Sequence, residues 1–344
     1  MNPTPEKSEP RPSRLAWLNP FGGGISPVKR LVRAVLLVVV LYFLVAPFVW
    51  WREYSRAFPD FFDPRPPAKE AADVQAYPPG TVYTGAMITL GEQLLTGWLP
   101  NDILYPSIFL DNPQNFQLGV LEVLRYASRV LRDNLSRQRT TDKIDAEADR
   151  AFTDFSNNPK LWMLPSAESK ISDGVLTLKR FQANLKTKKS NFYPRADNLI
   201  EMMEQFTSLL GGVDTRLANA PRDWSLHLSE ETAGDRYSEG ETMTSVKVPW
   251  TQVDDNFYFA RGVSYGLREM LLAAQWEFAD VIKMKRSDEL WQNVVDELAL
   301  ANFEPLFVLN GSRDSVFANH SLMLMATLED CRQKMSNIQH MLER

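Results

Sequence analysis

An uninterrupted apolar segment near the N-terminus constrains this 344-residue chain more than any other feature. From Ala34 to Trp51 there is no charged residue, and four leucines, six valines and two phenylalanines occupy 12 of the 18 positions. As an α-helix, 18 residues extend about 27 Å, close to the thickness of a bilayer's hydrocarbon core. With the adjoining Leu31 and Val32, the pattern predicts one transmembrane helix over residues 31–51.

A cleaved signal peptide is the competing interpretation of the same segment, since it is N-terminal and follows basic residues. Signal peptides have a short basic leader and end in small residues at the cleavage site. Here about thirty Pro-rich residues come first, and the small residue Ala46 is followed by Pro47 and the bulky Phe48. The pattern therefore favours an uncleaved membrane anchor.

The distribution of charge predicts the orientation of this anchor. Residues 1–33 carry a net charge of +4, against −5 for the whole chain, so the part after them sums to −9. Lys29, Arg30 and Arg33 adjoin the apolar segment on its N-terminal side, and basic residues favour the cytoplasmic face. We expect a bacterial inner-membrane protein with its N-terminus in the cytoplasm and its C-terminal domain in the periplasm.

Composition predicts the division of the rest of the chain. Residues 1–30 are rich in Pro, Gly and Ser and are predicted to be a disordered cytosolic tail. Residues 52–80 contain six prolines, which favour an extended stalk. The predicted folded domain is therefore residues 81–344, a single α-helical periplasmic domain.

The periodicity of that domain predicts an all-α fold, a multi-helix bundle. Apolar residues recur at spacings of three and four from Ala196 to Leu217 and from Phe317 to Leu342, as in helices that pack side by side. The 317–342 heptad could face its own bundle or a second copy, which leaves a homo-oligomer open. One stretch differs, because alternating apolar and polar residues within 223–249 permit a small β-ribbon.

One short motif matches the nucleophile elbow of hydrolases. Gly262, Ser264 and Gly266 form a G-x-S-x-G string, but an elbow requires a strand before it and a helix after it. Here the string continues an amphipathic helical pattern, so we predict that the two glycines permit close approach of another helix. Ser264 and His320 remain the one pair to consider for hydrolase chemistry.

The scarcity of histidine and cysteine argues against metal and thiol chemistry. The chain has three histidines and one cysteine, without an H-E-x-x-H, C-x-x-C or Glu-x-x-His motif. It also has no Walker A string and no G-x-G-x-x-G. We predict no metal and no cofactor, and we interpret Cys331, which lies in an apolar stripe, as a small buried core residue.

A basic stretch is the strongest polar anomaly. Between residues 179 and 195 the chain has no acidic residue and six basic ones, which are Lys179, Arg180, Lys186, Lys188, Lys189 and Arg195. One interpretation is a solvated helix end and turn. The other is a site that contacts anionic lipid headgroups or an acidic partner surface. Nucleic acid is not expected, because the predicted exported part is acidic overall.

Three stretches carry a resemblance to a known group of proteins. They are PPGTVYTGAMITLGEQLL, GWLPNDILYPSIFLDNPQNFQLGVLEVLRY and VDDNFYFARGVSYGLREML. With these, nearly the whole chain resembles an uncharacterised family of single-pass inner-membrane proteins of pseudomonads and related gammaproteobacteria. The resemblance implies an envelope location and a helical domain, and it transfers no catalytic residue.

Together these features predict a membrane-anchored envelope interaction or scaffold protein without an identifiable catalytic site. Its expected partners are the lipid bilayer, through residues 31–51, and another envelope protein. Two alternatives stay open at this point. One is an envelope hydrolase or other enzyme that uses Ser264 or paired carboxylates, and the other is a periplasmic ligand-sensing bundle.

Overall fold

A computed structural model describes residues 26–66, 77–102, 110–139, 141–219, 253–310 and 318–344 of the chain. The chain divides into two compact units, Met1–Glu53 and Tyr54–Arg344. The position of the predicted β-ribbon, 223–249, lies outside the described residues. No strand occurs within the described ranges, where the only β-type pairing is an isolated bridge between Asn310 and Asn319. The all-α prediction is confirmed.

The first helix, α1, runs from Pro27 to Ala57. Proline suits the first helical position, because the N–H that it lacks has no intrahelical partner there. From Pro27 to Val49 the helix is long and apolar enough to cross a membrane. A signal sequence near an N-terminus can have the same length and composition. Its large apolar side chains are mostly exposed, for example Leu44 at 71%. The described residues therefore contain one apolar helix that could be a membrane anchor or a signal sequence.

Nine further helices are described in the rest of the chain. They are α2 (Thr81–Leu95), α3 (Asp111–Val130), α4 (Ala146–Phe155), α5 (Ala167–Lys186), α6 (Ala196–Asn219), α7 (Val253–Glu277), α8 (Ala279–Met284), α9 (Asp288–Leu300) and α10 (His320–Glu343). A single π-helical turn, Leu131–Leu135, extends α3. The predicted apolar stripes form the core, since Leu199 to Leu217 on α6 and Leu324 to Leu342 on α10 are buried at every stripe position.

Helices α3 and α7 form the centre of the domain and run parallel. The Asn115 amide donates to the Asp255 carboxylate at 2.7 Å near their N-termini. Further along, a Cβ atom added to Gly119 would lie 2.2 Å from the carbonyl oxygen of Phe259. One turn later, Gly266 faces Val123. Small residues at the crossing therefore allow the two backbones to touch.

Helix α2 runs antiparallel to α7, and a side chain of α7 holds its N-terminus. The Glu277 carboxylate accepts backbone N–H bonds from Gly80 at 2.8 Å, Val82 at 2.7 Å and Tyr83 at 3.2 Å. These are N–H groups that a helix start cannot satisfy internally. Gly80 itself offers no side-chain cap and has a φ of 90°, in the left-handed region that favours glycine. We call this end of the domain the Gly80 end.

The opposite end, which we call the Tyr54 end, contains Tyr54 and the N-termini of α3 and α7. Tyr54 packs with Leu99 and Leu110, and its hydroxyl donates to Glu304 at 2.9 Å. The Asn101 amide donates to the carbonyl oxygen of Leu161 at 2.9 Å, just before α5 begins. The α4–α5 loop and the α9–α10 loop therefore both lie at the Tyr54 end.

Residues 58–66, part of the predicted stalk, lie against the helical domain. The ring of Phe58 packs edge-on against Phe116 with centroids 5.1 Å apart, and Phe61 stacks on Tyr265 at 5.5 Å. Prolines interrupt helical structure, but they leave the aromatic residues between them able to pack. This segment therefore adds side chains to the core of the domain, a role that its proline content did not indicate.

Helix α10 packs mainly against α6 and α9 of the same chain. The heptad pattern allowed the apolar stripe of α10 to face either its own bundle or a second copy. The stripe is buried within this domain, and Leu328, Cys331 and Met335 each have 0% exposure. A second copy would have to bind through other residues of the chain.

Candidate functional site

The G-x-S-x-G string lies in the middle of α7 and serves helix packing. A Cβ atom added to Gly262 would lie 2.0 Å from the carbonyl oxygen of Phe116 on α3. Ser264 is fully buried, and its hydroxyl donates to the carbonyl oxygen of Arg261 at 2.8 Å. Helix α7 begins at Val253, so helix rather than strand precedes the string. The predicted role of the glycines in close helix approach is confirmed.

His320, the other residue considered for hydrolase chemistry, lies at the start of α10. Its Nδ1 atom accepts the backbone N–H of Leu309 at 2.9 Å, and its ring lies 6.3 Å from that of Phe303. Ser264 uses its hydroxyl within its own helix, and no hydrogen bond within the described residues joins it to His320. Both side chains therefore serve local structural contacts.

Half of the basic stretch is paired with carboxylates. Lys179 contacts Glu92 at 2.6 Å, and Arg180 contacts Glu147 at 3.1 Å. Arg195 contacts Asp197 at 2.5 Å and also donates to the carbonyl oxygen of Gln138 at 2.8 Å. These three side chains are about half exposed, and pairs of this kind contribute little to stability. Their charge is largely balanced locally.

The other three basic residues form what we call the lysine cluster, Lys186, Lys188 and Lys189. They lie at the C-terminus of α5, where positive charge is favourable because of the helix dipole. Lys188 has a left-handed φ of 57°, and the Lys189 N–H donates to the carbonyl oxygen of Asn184 at 2.9 Å to end the helix. All three are exposed, and within the described ranges none makes an ion pair.

Two surface depressions of about 380 Å³ flank the lysine cluster. One is lined by residues that include Lys186, Gln182, Tyr77 and Pro66, and the other by residues that include Lys189. The acidic residues within 230–242, whose charge is opposite to that of the cluster, lie outside the described residues. The lysine cluster therefore presents its positive charge between two depressions at the Gly80 end. The Gln182 amide, which donates to the carbonyl oxygen of Thr81 at 2.9 Å, places this part of α5 at that end.

A buried arginine, which the sequence pattern did not single out, joins the segments of the Tyr54 end. The side chain of Arg261 is 7% exposed, and its guanidinium donates to Asn302 at 2.9 Å and to Glu304 at 3.1 Å. It also lies over the ring of Phe58, 4.7 Å from the centroid. Burial raises the pKa of Tyr54, so its hydroxyl remains protonated and donates to Glu304. This arrangement fixes the α9–α10 loop against α7.

Several carboxylates have raised pKa values because they are buried. Burial raises the pKa of Glu269 to about 7, opposed by its 2.7 Å contact with Arg268. Burial and the nearby Glu329 raise the pKa of Asp214 to about 7. Burial and the neighbouring Asp254 raise that of Asp255 to about 6. Sequence periodicity marks none of these positions as buried, since each carries a charged residue.

Within the described residues, these carboxylates line none of the four depressions considered. The four described depressions are lined by other residues, and Glu269 instead contacts Arg268 and accepts the backbone N–H of Phe62 at 3.4 Å. Among the residues that the structure describes, no group of three or more His, Cys, Asp or Glu side chains is placed to hold a metal ion. Their raised pKa values thus accompany helix packing rather than an open site.

Comparison with known proteins identifies one family for this chain. No curated protein and no solved structure matches the chain significantly. One family matches residues 27–344, which include the apolar helix and the whole helical domain. Because this match extends over most of the sequence, the chain belongs to the family described as an uncharacterized protein conserved in bacteria (DUF2333).

Proposed function

We propose that this chain is a single-pass inner-membrane protein whose helical domain lies in the periplasm and binds another envelope protein as a scaffold. The observation that carries the proposal is the exposure of the apolar face of α1 between Pro27 and Val49. Each large aliphatic side chain left in water costs about 1.5 to 3 kcal/mol relative to burial. A bilayer removes that cost for the whole helix at once.

The charge distribution supports this orientation. Lys29, Arg30 and Arg33 precede the apolar part of α1, and basic residues next to a transmembrane helix favour the cytoplasmic side. The acidic part of the chain then lies outside the cytoplasm. The family match begins at residue 27 and includes α1 together with the helical domain, so the family shares this apolar helix.

A binding role is favoured over an enzymatic one by the placement of the polar groups. Enzyme sites bring groups with shifted pKa values together in a concave pocket. Here Glu269 and Asp214 are packed between helices, and Ser264 is bound within α7. Exposed positive charge lies instead on the lysine cluster and, in the same way, at Lys283 and Arg286.

The lysine cluster favours an acidic protein surface as its partner. Helix α5 has 20 residues and is about 30 Å long. Its first residue is close to the Tyr54 end of the domain, and the lysine cluster follows its last turn at the Gly80 end. Three lysines that make no ion pair within the described residues, and that are flanked by depressions, suit the carboxylates of a partner protein.

The membrane orientation is tested by fusing alkaline phosphatase to the C-terminus and an epitope tag to the N-terminus. We expect an active fusion that stays in the membrane fraction after carbonate extraction and keeps the tag at full length. An inactive fusion would overturn the periplasmic orientation. A soluble product that has lost the tag would show that α1 is a cleaved signal sequence.

The scaffold role is tested by cross-linking in intact cells followed by purification from membranes. The test variant combines Lys186→Glu, Lys188→Glu and Lys189→Glu. The control combines Lys283→Glu, Lys285→Glu and Arg286→Glu, which makes the same change of charge at the turn after α8. We expect the test variant to lose a cross-linked envelope protein that the control retains. Equal recovery of partners with equal thermal stability would exclude the lysine cluster as the binding surface.

A further inference from the structure

Large apolar side chains are exposed on two loops of the helical domain. The α4–α5 loop presents Trp162 at 58%, Met163 at 57% and Leu164 at 93% exposure. The α9–α10 loop presents Leu306 at 90% and Phe307 at 73%. Contiguous exposed apolar residues of this size are uncommon on soluble monomers and usually mark a contact with protein or membrane.

Residues beside the α9–α10 loop extend its apolar surface. Leu300, at the end of α9, is 72% exposed, and Met323, in the first turn of α10, is 52% exposed. The backbone N–H of His320 donates to the carbonyl oxygen of Leu309 at 2.8 Å, which brings the start of α10 alongside the loop. Leu306, Phe307 and Met323 thus belong to one local region.

Both loops lie at the Tyr54 end. Glu304, two residues before Leu306, accepts the hydroxyl of Tyr54 at 2.9 Å. On the other side, the carbonyl oxygen of Leu161, one residue before Trp162, accepts the amide of Asn101 at 2.9 Å. Leu99, two residues before Asn101, packs with Tyr54. Tyr54 therefore contacts the α9–α10 loop directly and is linked to the α4–α5 loop through the segment that contains Leu99 and Asn101.

Covalent connection limits how far this end can lie from the apolar part of α1. Val49 precedes Tyr54 by five residues, which span at most about 18 Å even when fully extended. If residues 27–49 lie in the bilayer, as the proposed function requires, Tyr54 must lie close to the membrane surface. The two apolar loops beside it then reach the same surface.

The side chains on these loops suit the boundary between lipid and water. Tryptophan is enriched at this interface, where its ring meets both the acyl chains and the headgroups. Leucine, methionine and phenylalanine gain from removal of their apolar surface from water. Lys160, two residues before Trp162, is exposed and can contact anionic headgroups.

We propose that the α4–α5 loop at residues 162–164 and the α9–α10 loop at residues 306–307 insert into the outer interface of the bilayer that holds α1. This proposal rests on the proposed membrane anchor and adds a second lipid contact made by the folded domain.

The test uses the full-length chain in vesicles of phosphatidylethanolamine and phosphatidylglycerol. A polarity-sensitive fluorophore is attached to Leu164→Cys or Phe307→Cys, and phospholipids with a nitroxide on the acyl chain serve as quenchers. Met284→Cys is the matched control, because Met284 is a 78% exposed apolar residue in a different turn of the domain. Protein without an introduced cysteine measures the background from the buried Cys331.

We expect blue-shifted emission and loss of fluorescence on addition of nitroxide lipid for the probes at 164 and 307, and neither effect at 284. Unquenched probes at 164 and 307, in chains that float with the vesicles, would overturn the loop insertion and leave the anchor intact. A blue shift without lipid quenching would assign the loops to a protein contact and also overturn it. Chains that do not float would instead contradict the membrane anchor.

Discussion

The backbone of Gly262 on α7 lies directly against the carbonyl oxygen of Phe116 on α3, so close that an added Cβ atom would come within 2.0 Å of it. Gly119 makes the reciprocal contact from α3 towards Phe259. Backbone cannot move aside as a flexible side chain can, so this crossing tolerates no side chain on either helix. The contact sets the spacing of the two central helices of the domain.

We expect Gly262→Ala to lower the free energy of unfolding by about 2 to 4 kcal/mol, because the methyl group forces α3 and α7 apart. Thermal and urea unfolding of the full-length chain in detergent, followed by circular dichroism, measures the change. Gly212→Ala is the matched control. Gly212 lies in α6 with nothing within 4 Å of the added carbon, and alanine favours a helix over glycine by about 1 kcal/mol.

The control should therefore be neutral or more stable than the wild type. A Gly262→Ala variant as stable as Gly212→Ala would mean that the two helices do not cross at this point.

The Glu277 carboxylate provides the second prediction. It accepts three backbone N–H groups at the start of α2, and without it these buried donors lose their partners. We expect Glu277→Ala to destabilise the domain by about 2 to 3 kcal/mol in the same unfolding measurement. Glu92→Ala is the control, because Glu92 is half exposed and, among the described residues, pairs with the half-exposed Lys179, so its loss should cost under about 1 kcal/mol. Equal losses would contradict the capping role of Glu277.

The raised pKa of Glu269 predicts a dependence of stability on pH. Its pKa is about 7 in the folded chain, above the value of about 4.3 typical of an unfolded chain. Between these two pKa values the Glu269 carboxyl is protonated in the folded state and ionised in the unfolded state. The free energy of unfolding therefore falls as pH rises from about 4 to 7. Above pH 7 this contribution stops changing.

We therefore expect Glu269→Gln to gain stability relative to the wild type across that range, reaching on the order of 2 kcal/mol near pH 8. Urea unfolding at half-unit steps of pH measures the difference. Glu204→Gln, on the exposed face of α6, controls for the substitution itself. A constant difference between Glu269→Gln and the wild type over the whole range would mean that Glu269 ionises normally.

Cys331 provides the fourth prediction. It is fully buried on α10, its sulfur lies 3.6 Å from a Glu297 oxygen, and burial raises the pKa of the thiol. Because the thiolate is the reactive form, we expect almost no reaction with a maleimide until urea unfolds the domain. Gln333→Cys, two residues further on an exposed position, should react at once in the folded state. Rapid labelling of Cys331 in native protein would contradict its burial.

Periodicity was sufficient to predict the helices and their buried faces. The stripes of α6 and α10 consist of apolar residues at spacings that only a helix aligns on one side, so Leu210 and Leu328 could be assigned to the core. The glycines of α7 could likewise be assigned to helix contact, because a helical pattern runs through them. Neither pattern specifies which helix lies opposite.

The buried charged residues were not predictable in this way. Arg261, Glu269 and Glu277 look like the solvent-facing residues of an amphipathic helix, since charged side chains usually remain in water. Their burial depends on partners that are distant in sequence, such as Gly80, which is 197 residues from Glu277. Only the packing of α2 against α7 brings Gly80 and Glu277 together.

The sequence by itself determined the apolar N-terminal helix, the all-α fold and the absence of familiar catalytic motifs, because each follows from local composition or spacing. The tertiary structure decided which ends of the helices coincide. It brought the exposed apolar loops at Trp162 and Phe307 to the Tyr54 end and left the lysine cluster at the Gly80 end. Such long-range placement depends on how helices pair, and no local pattern in the chain encodes that pairing.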